Sequence, residues 1–314
     1  MNITECAEWL LARDNFLLLT HRRPDGDTLG SAAALACGLR STGKTVYLFE
    51  NPEVTTRYLP YVRDYYSPAS FVPDFVVSID TASEAMMPVG VGKFGDNIAL
   101  SIDHHPSNTG YAEHTFCDHT RAACGELVYE LLESFCVLDN ISATALYIAL
   151  ATDTGCFSYE NTTADSFYVA SKLIENGADA AYLNRYLFRS KTRGRIAVEG
   201  MVFSNMEFFY DDRAAIVVIT DEMLKKANAT EDDMENIAAF PVTVEGVMVG
   251  VLIRELPDGR CKVSLRSGAE VDSNAICAQF GGGGHASAAG FATSKKFSLV
   301  RELMIPVLGE FLGI

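Results

Sequence analysis

The sequence predicts an α/β protein of two domains. The expected first domain is a parallel sheet with helices on both faces, followed by a smaller mixed α+β domain, with an active-site cleft between them. Three observations predict this. Short apolar runs alternate with helix-period segments over the first 188 residues, the pattern then changes to strands and a hairpin, and 314 residues exceed the usual size of one domain.

The elements follow in order. A helix over 3–13 precedes the strand FLLLT (16–20), and an Ala- and Leu-rich helix from Leu29 to Arg40 leads to TVYLF (45–49). FVVSI (75–79) and NIALSI (97–102) are continuous apolar runs, as in strands buried on both faces. Helices are expected over 121–136, over 141–152 and within 163–188. Next come a helix over 191–205, strands over 206–210 and 214–219, and helices over 221–226 and 231–239. Strands over 244–255 and 260–266 form a hairpin across LPDG. A helix over 273–279, a glycine run, a strand near 289–292 and a last helix close the chain. These boundaries give domains at 1–188 and 201–314, joined by a linker at 189–200. The stretch FRSKTRGR (188–195) is locally basic, either a solvated helix face or a patch turned toward a substrate.

Lys plus Arg number 25 against 41 Asp plus Glu, a formal charge of −16. Such a surface excludes a grip on long duplex nucleic acid by phosphate neutralisation and a seat on an anionic membrane. It admits a small anionic substrate held by metal ions. The N-terminus lacks the basic start of a signal peptide, and no apolar run reaches membrane-spanning length. The eight cysteines form no CxxC pair and read as core thiols of a reducing compartment, so a cytoplasmic protein is expected.

Each apolar run but one in the first domain ends in residues able to hold a metal. FLLLT runs into His21, with Asp25 and Asp27 close behind; FVVSI ends at Asp80; NIALSI ends at Asp103, His104 and His105; the helix ATALYIALAT ends at Asp153. A single aspartate after a strand is most often a turn former or helix cap. Four segments with the same ending are a different matter, because ligands collect beyond the carboxyl ends of strands in open α/β sheets. Five aspartates in one crevice repel unless cations neutralise them. Mixed carboxylate and imidazole donors suit Mn²⁺, with Mg²⁺, Co²⁺ and Fe²⁺ as competitors. Six or more donors exceed the needs of one hydrolytic ion and fit two, bridged by a carboxylate, the arrangement that drives in-line attack on phosphorus. In PDGDTLGSAAA, Asp27 or Thr28 is the expected cap of a helix whose first turn, with Gly30 and Ser31, has room for phosphate oxygens.

The second domain carries QFGGGGHASAAGF (279–291). Lying between an apolar helix and an apolar strand, its glycines form either a tight turn or an anion nest, with His285 at the edge. Arg266, at the end of KVSLR, is placed to clamp a second phosphate.

HRRPDGDTLGS, SIDT, SIDHH and ATDTGCF resemble, in order, the four motifs of the DHH phosphoesterase family, and SLRS followed by GGGGHASAAG resembles its DHH-associated C-terminal domain. The two-domain size and the GGGGH ending are similar to the nanoRNase and pAp-phosphatase branch. Those are cytosolic enzymes that trim very short RNA and remove the 3′-phosphate of 3′-phosphoadenosine 5′-phosphate (pAp). The resemblance implies that His21, Asp25 and a bridging Asp80 hold one Mn²⁺, and Asp27, Asp80, His104 and Asp153 the other. It implies that Asp103 orients the histidines and that His105 meets the scissile phosphate. Arg266, His285 and the N–H groups near Gly283 and Gly284 would hold the substrate. The expected partners are short oligoribonucleotides, pAp or dinucleotides, and the expected assembly is a monomer or homodimer. Cyclic or linear dinucleotide cleavage is the main rival activity; pyrophosphate hydrolysis and a silent nucleotide sensor rank below it.

Overall fold

The computed structural model describes residues 1–234 and 236–314. The chain forms two compact units, Met1–Ser190 and Lys191–Ile314.

In the first unit the chain runs through α1 (Ile3–Leu11), β1 (Phe16–Leu19), α2 (Gly26–Ser41), β2 (Val46–Leu48), α3 (Leu59–Val62), β3 (Phe75–Ile79), β4 (Leu100–Asp103), β5 (His114–Cys117), α4 (Cys124–Phe135), α5 (Asn140–Asp153), α6 (Ala164–Glu175) and α7 (Ala180–Asn184). The sheet has the order β2-β1-β3-β4-β5 and is parallel throughout. The expected parallel fold is therefore present, with one strand, β5, that the sequence reading did not foresee.

Side chains alternate across the strands and serve two cores. Phe16, Leu18, Val77, Ile79, Leu100 and Ile102 pack with residues of α1, α2, α4 and α5. Leu17, Leu19, Val76 and Ile98 turn the other way, against Phe71, Met87, Val91, Phe94 and Tyr111. That second face is covered by loops and two short 3-10 helices, Glu84–Met86 and Gly92–Gly95. Pro88, Gly90, Gly92 and Gly95 punctuate the β3–β4 connection and keep its helices short.

Two helices fix the position of the strand ends. Asp25 caps α2, accepting from the N–H groups of Asp27 and Thr28 at 3.1 and 3.2 Å. The helix thus opens earlier than predicted, and the cap is neither Asp27 nor Thr28. Gly30 brings α2 against α5, since a Cβ there would overlap the Ala145 carbonyl and come within 2.9 Å of Ala149 N. Gly30 therefore serves helix packing, and Ser31 donates to Asp27 Oδ1 at 3.0 Å.

The second unit runs through α8 (Arg193–Ser204), β6 (Glu207–Phe209), β7 (Ala214–Ile219), α9 (Asp221–Ala227), β8 (Val249–Glu255), β9 (Cys261–Ser267), α10 (Ser273–Ala278), β10 (Gly283–His285), β11 (Ala288–Thr293) and α11 (Phe297–Phe311). Its mixed sheet has the order β10-β11-β9-β8-β7-β6, and β7–β8 is its parallel pair. The hairpin across LPDG forms as predicted. The helix expected over 231–239 includes Glu235, which lies outside the described residues; 3-10 turns occupy Asp232–Met234 and Ile237–Ala239. The glycine run divides: Gly281, at a left-handed φ of 74°, turns the chain after α10, and Gly283 and Gly284 enter the edge strand β10, which pairs with β11.

Between the units, a π-helical turn covers Arg185–Arg189 and α8 opens at Arg193, so three residues, 190–192, lack helical structure. Of the basic stretch, Lys191 and Arg195 pair with Glu199 of α8 at 2.6 and 2.8 Å. Lys191 is exposed, but Arg195 lies over the Phe240 ring and is largely buried with Glu199, so its charge belongs to a structural ion pair and not to a solvated face.

Candidate metal centre

Four segment ends deliver side chains to one place. His21 follows β1, Asp25 and Asp27 open α2, Asp80 follows β3, Asp103 ends β4 ahead of His104 and His105, and Asp153 ends α5. Three overlapping groups have donor atoms within 4.8 Å of one another: His21, Asp25 and Asp80; Asp80, His104 and His105; Asp27, His104 and Asp153.

Asp80 is the hinge of the set. Its Oδ2 lies 3.7 Å from His21 Nε2, and its Oδ1 lies 3.4 Å from His104 Nε2. The residue is buried with a left-handed φ of 55°, a conformation aspartate tolerates better than most side chains. Its N–H is held by the Ile102 carbonyl at 2.8 Å.

The imidazoles are held by their other nitrogen. His21 Nδ1 donates to the Arg22 carbonyl at 2.8 Å, and His104 Nδ1 to the Arg121 carbonyl at 3.1 Å. A carbonyl can only accept, so each ring carries its proton on Nδ1 and presents Nε2 to the carboxylates. Two acceptors then face each other unless a proton or a cation sits between them. The centre fits a cation by this test, for Asp80 Oδ1 is buried and has no hydrogen-bond partner.

Asp27 is clamped from behind. Its Oδ2 accepts from Cys124 N–H at 2.7 Å and its Oδ1 from Gly125 N–H at 2.9 Å, at the N-terminus of α4. Asp103 is buried too and lies among donors: the N–H groups of His104 (2.8 Å) and His105 (3.3 Å), His105 Nδ1 (2.7 Å) and Asn108 Nδ2 (2.6 Å).

The charges record this crowding. Burial, then Asp153 and Asp25, push Asp27 well above the ordinary carboxylate range; burial, then Asp27 and Asp25, do the same to Asp80. For Asp103 burial pushes upward, but hydrogen bonds from His105 and Asn108 prevail and hold it low. The hydrogen bond to Asp103 raises His105 against the opposing effect of burial.

All eight residues expected from the strand and helix ends of the first domain thus share one centre. Arg266, Gly283, Gly284 and His285 belong to the second unit. There the register aligns Arg266, Ala288 and His285 in one row across β9, β11 and β10, so their side chains share a face. Arg266 Nη1 donates to the Leu265 carbonyl at 2.9 Å, and no carboxylate pairs with it among the described residues. His285 is exposed. The expected nest at the glycines is partly spoken for, because Gly284 N–H donates to Asn274 Oδ1 at 2.9 Å.

Sequence reasoning missed three supports. Asn108 holds Asp103 and follows SIDHH by three residues, where an amide five residues after an acid was a usable signal. Arg121 orients His104 through its backbone carbonyl, which leaves no trace in residue type. Asn161 Nδ2 donates to the carbonyls of Ala122 (3.0 Å) and Asp153 (3.1 Å), tying the end of α5 to the loop behind His104.

The chain is similar to known proteins over both units. Residues 15–155 match the DHH family N-terminal domain, and residues 212–308 match the DHHA1 domain. The chain is 32% identical over 286 residues to a Thermus thermophilus protein named bifunctional oligoribonuclease and PAP phosphatase NrnA, covering 90% of this chain and 85% of that one. It is 29% identical to a Streptococcus mutans protein named probable bifunctional oligoribonuclease and PAP phosphatase NrnA, covering 89% of each. Among solved structures, an exopolyphosphatase-related protein from Bacteroides fragilis superposes with a TM-score of 0.88 at 22% identity, covering 98% of this chain and 96% of that one. The chain therefore belongs to the DHH family and is a phosphoesterase, a hydrolase with a DHH domain followed by a DHHA1 domain.

Proposed function

We propose that this hydrolase acts on short oligoribonucleotides and on pAp, using two Mn²⁺ ions held by the first unit. The carrying observation is the buried, unpartnered Asp80 Oδ1, with an imidazole Nε2 turned toward each of its carboxylate oxygens. In this reading His21, Asp25 and Asp80 hold one ion, and Asp27, Asp80, His104 and Asp153 the other. Bound divalent ions supply the Lewis acidity that activates water and offsets charge at phosphorus.

The chain's own groups do the rest. Asp103 holds the His105 Nδ1 proton, which favours the charged ring and leaves Nε2–H to donate to a phosphoryl oxygen as charge develops there. The carbonyls of Arg22 and Arg121 keep His21 and His104 in the tautomer a cation needs. The first unit acts as the catalytic domain and the second, from α8 onward, as the substrate-binding domain. There Arg266 and His285, separated by two strand spacings of about 5 Å each, grip a further phosphate. The formal charge of −16 suits substrates of few phosphates and argues against long strands. All eight cysteines are free, in keeping with a cytoplasmic setting; within the described residues no helix is long and apolar enough to cross a membrane.

The test is a substrate panel of pAp, pApA, short RNAs and pyrophosphate, assayed with metal-free protein before and after Mn²⁺ addition. Turnover of pAp and short RNA only after Mn²⁺ is expected. Turnover of pyrophosphate with none of the nucleotides would overturn the reading.

A further inference from the structure

Behind Asp153 the chain makes a loop, residues 154–161, that returns to its own starting point. Gly155, Cys156 and Phe157 take left-handed φ values of 55°, 56° and 62° in succession. For phenylalanine this is an outlier, kept only where the surroundings enforce it. Here they do. Cys156 N–H donates to the Ala151 carbonyl at 2.7 Å, Phe157 N–H to Thr154 Oγ1 at 3.2 Å, and the N–H groups of Ser158 and Tyr159 to the Thr154 carbonyl at 2.9 and 3.1 Å. The Phe157 ring stacks on Phe167 of α6 with centroids 5.3 Å apart. Asn161 closes the loop on the Asp153 carbonyl at 3.1 Å.

This rigid loop presents Tyr159 to solvent. The ring rests on Gly155, where a Cβ would overlap Cε1, Cζ and Cε2. Gly155 is two residues from Asp153, at most about 7 Å of chain. Yet Tyr159 is 62% exposed, and its hydroxyl makes no hydrogen bond among the described residues. Single exposed aromatics are common on protein surfaces. What sets this one apart is a strained, hydrogen-bonded loop that starts at a candidate metal ligand and holds the ring without burying it.

We propose that Tyr159 is a nucleobase platform, on which the base of a nucleotide with its phosphate at the metal centre stacks. The proposal rests on the nucleotide reading of that centre. Stacking suits this chain, because every base offers a π-face and the acidic surface cannot supply affinity through phosphates alone. Replacement of such a platform by alanine costs roughly 5- to 150-fold in binding.

The experiment is calorimetric titration of the full, Mn²⁺-saturated chain with AMP and with ribose 5-phosphate, which share the phosphate and differ in the base. Wild type should prefer AMP by about fivefold or more. Tyr159→Ala should lose the preference and leave ribose 5-phosphate binding unchanged, whereas Tyr159→Phe, which keeps the ring, should keep it. A wild type without preference, or a Tyr159→Ala variant that retains it, overturns the platform. If the preference depends on Tyr159 but neither pAp nor short RNA is hydrolysed, the platform stands and the proposed substrates fall. If both are hydrolysed and the preference survives Tyr159→Ala, the platform alone falls.

Discussion

The two units carry polar side chains of opposite character. In the first, five aspartates and three histidines converge at the strand and helix ends, and most are braced from behind by a backbone N–H, a carbonyl or an amide. In the second, Arg266 and His285 stand on one sheet face with no acid paired to either among the described residues. A braced, overcharged cluster is shaped for a small, highly charged guest that never varies. Unpaired donors on an accessible face are shaped for a guest that arrives and leaves. In the proposed reading the first unit holds a resident cation and the second meets a passing substrate.

The largest effects should come from breaking the braced side. Replacing His104 by Ala, or Asp80 by Asn, should lower phosphoesterase kcat by more than about 100-fold, beyond the range for residues that only support a ligand. Near-normal turnover by either variant would erase the distinction between the units. Asp103→Asn should cost roughly 10–100-fold, because it loosens His105 while leaving the expected ligands in place. A loss as deep as that of His104→Ala would move Asp103 among the ligands. On the other side, Arg266→Ala should lower kcat/KM for pAp by about 10-fold, and by less for p-nitrophenyl phosphate, which has no second phosphate. Equal losses on both substrates would place Arg266 at the reacting phosphate.

The smallest effect is on stability, and it has the opposite sign. Burial, and then Asp27, raise the Asp80 carboxyl well above its ordinary value of 3.8. The folded chain then holds a proton that the unfolded chain releases, so stability falls as pH climbs from 3.8 through the raised value. Asn at this position carries no such penalty. Metal-free Asp80→Asn should therefore melt about 3–10 °C above metal-free wild type near neutral pH. The gap should narrow toward pH 4, as the wild-type carboxyl takes up its proton. A lower melting temperature for the variant would mean that the negative charge itself stabilises the metal-free fold.

The braced side was also the more legible in sequence. FVVSI and SID end in their acids because a buried parallel strand must meet polar chain at its carboxyl end, and burial leaves a continuous apolar signature. Asp25 was read as a ligand alone, whereas its capping of α2 depends on where the helix starts, the least certain feature of any pattern. HTFC of β5 is too short and mixed to signal a strand by itself. The glycines of β10 have poor strand propensity, so the pairing with β11 that straightens them comes from tertiary context. The supports given by Arg121 and by the N–H groups of Cys124 and Gly125 are backbone atoms, present at almost every residue and therefore invisible in residue type.

Calorimetric titration of metal-free protein with Mn²⁺ tests the central claim most directly. Wild type should bind two ions per chain, with release of protons from the crowded carboxyl and imidazole groups. Because Asp80 turns one oxygen toward each imidazole, Asp80→Asn should weaken both ions together, while Arg266→Ala should leave both unchanged. A single ion per chain, or two ions indifferent to Asp80→Asn, would contradict the account.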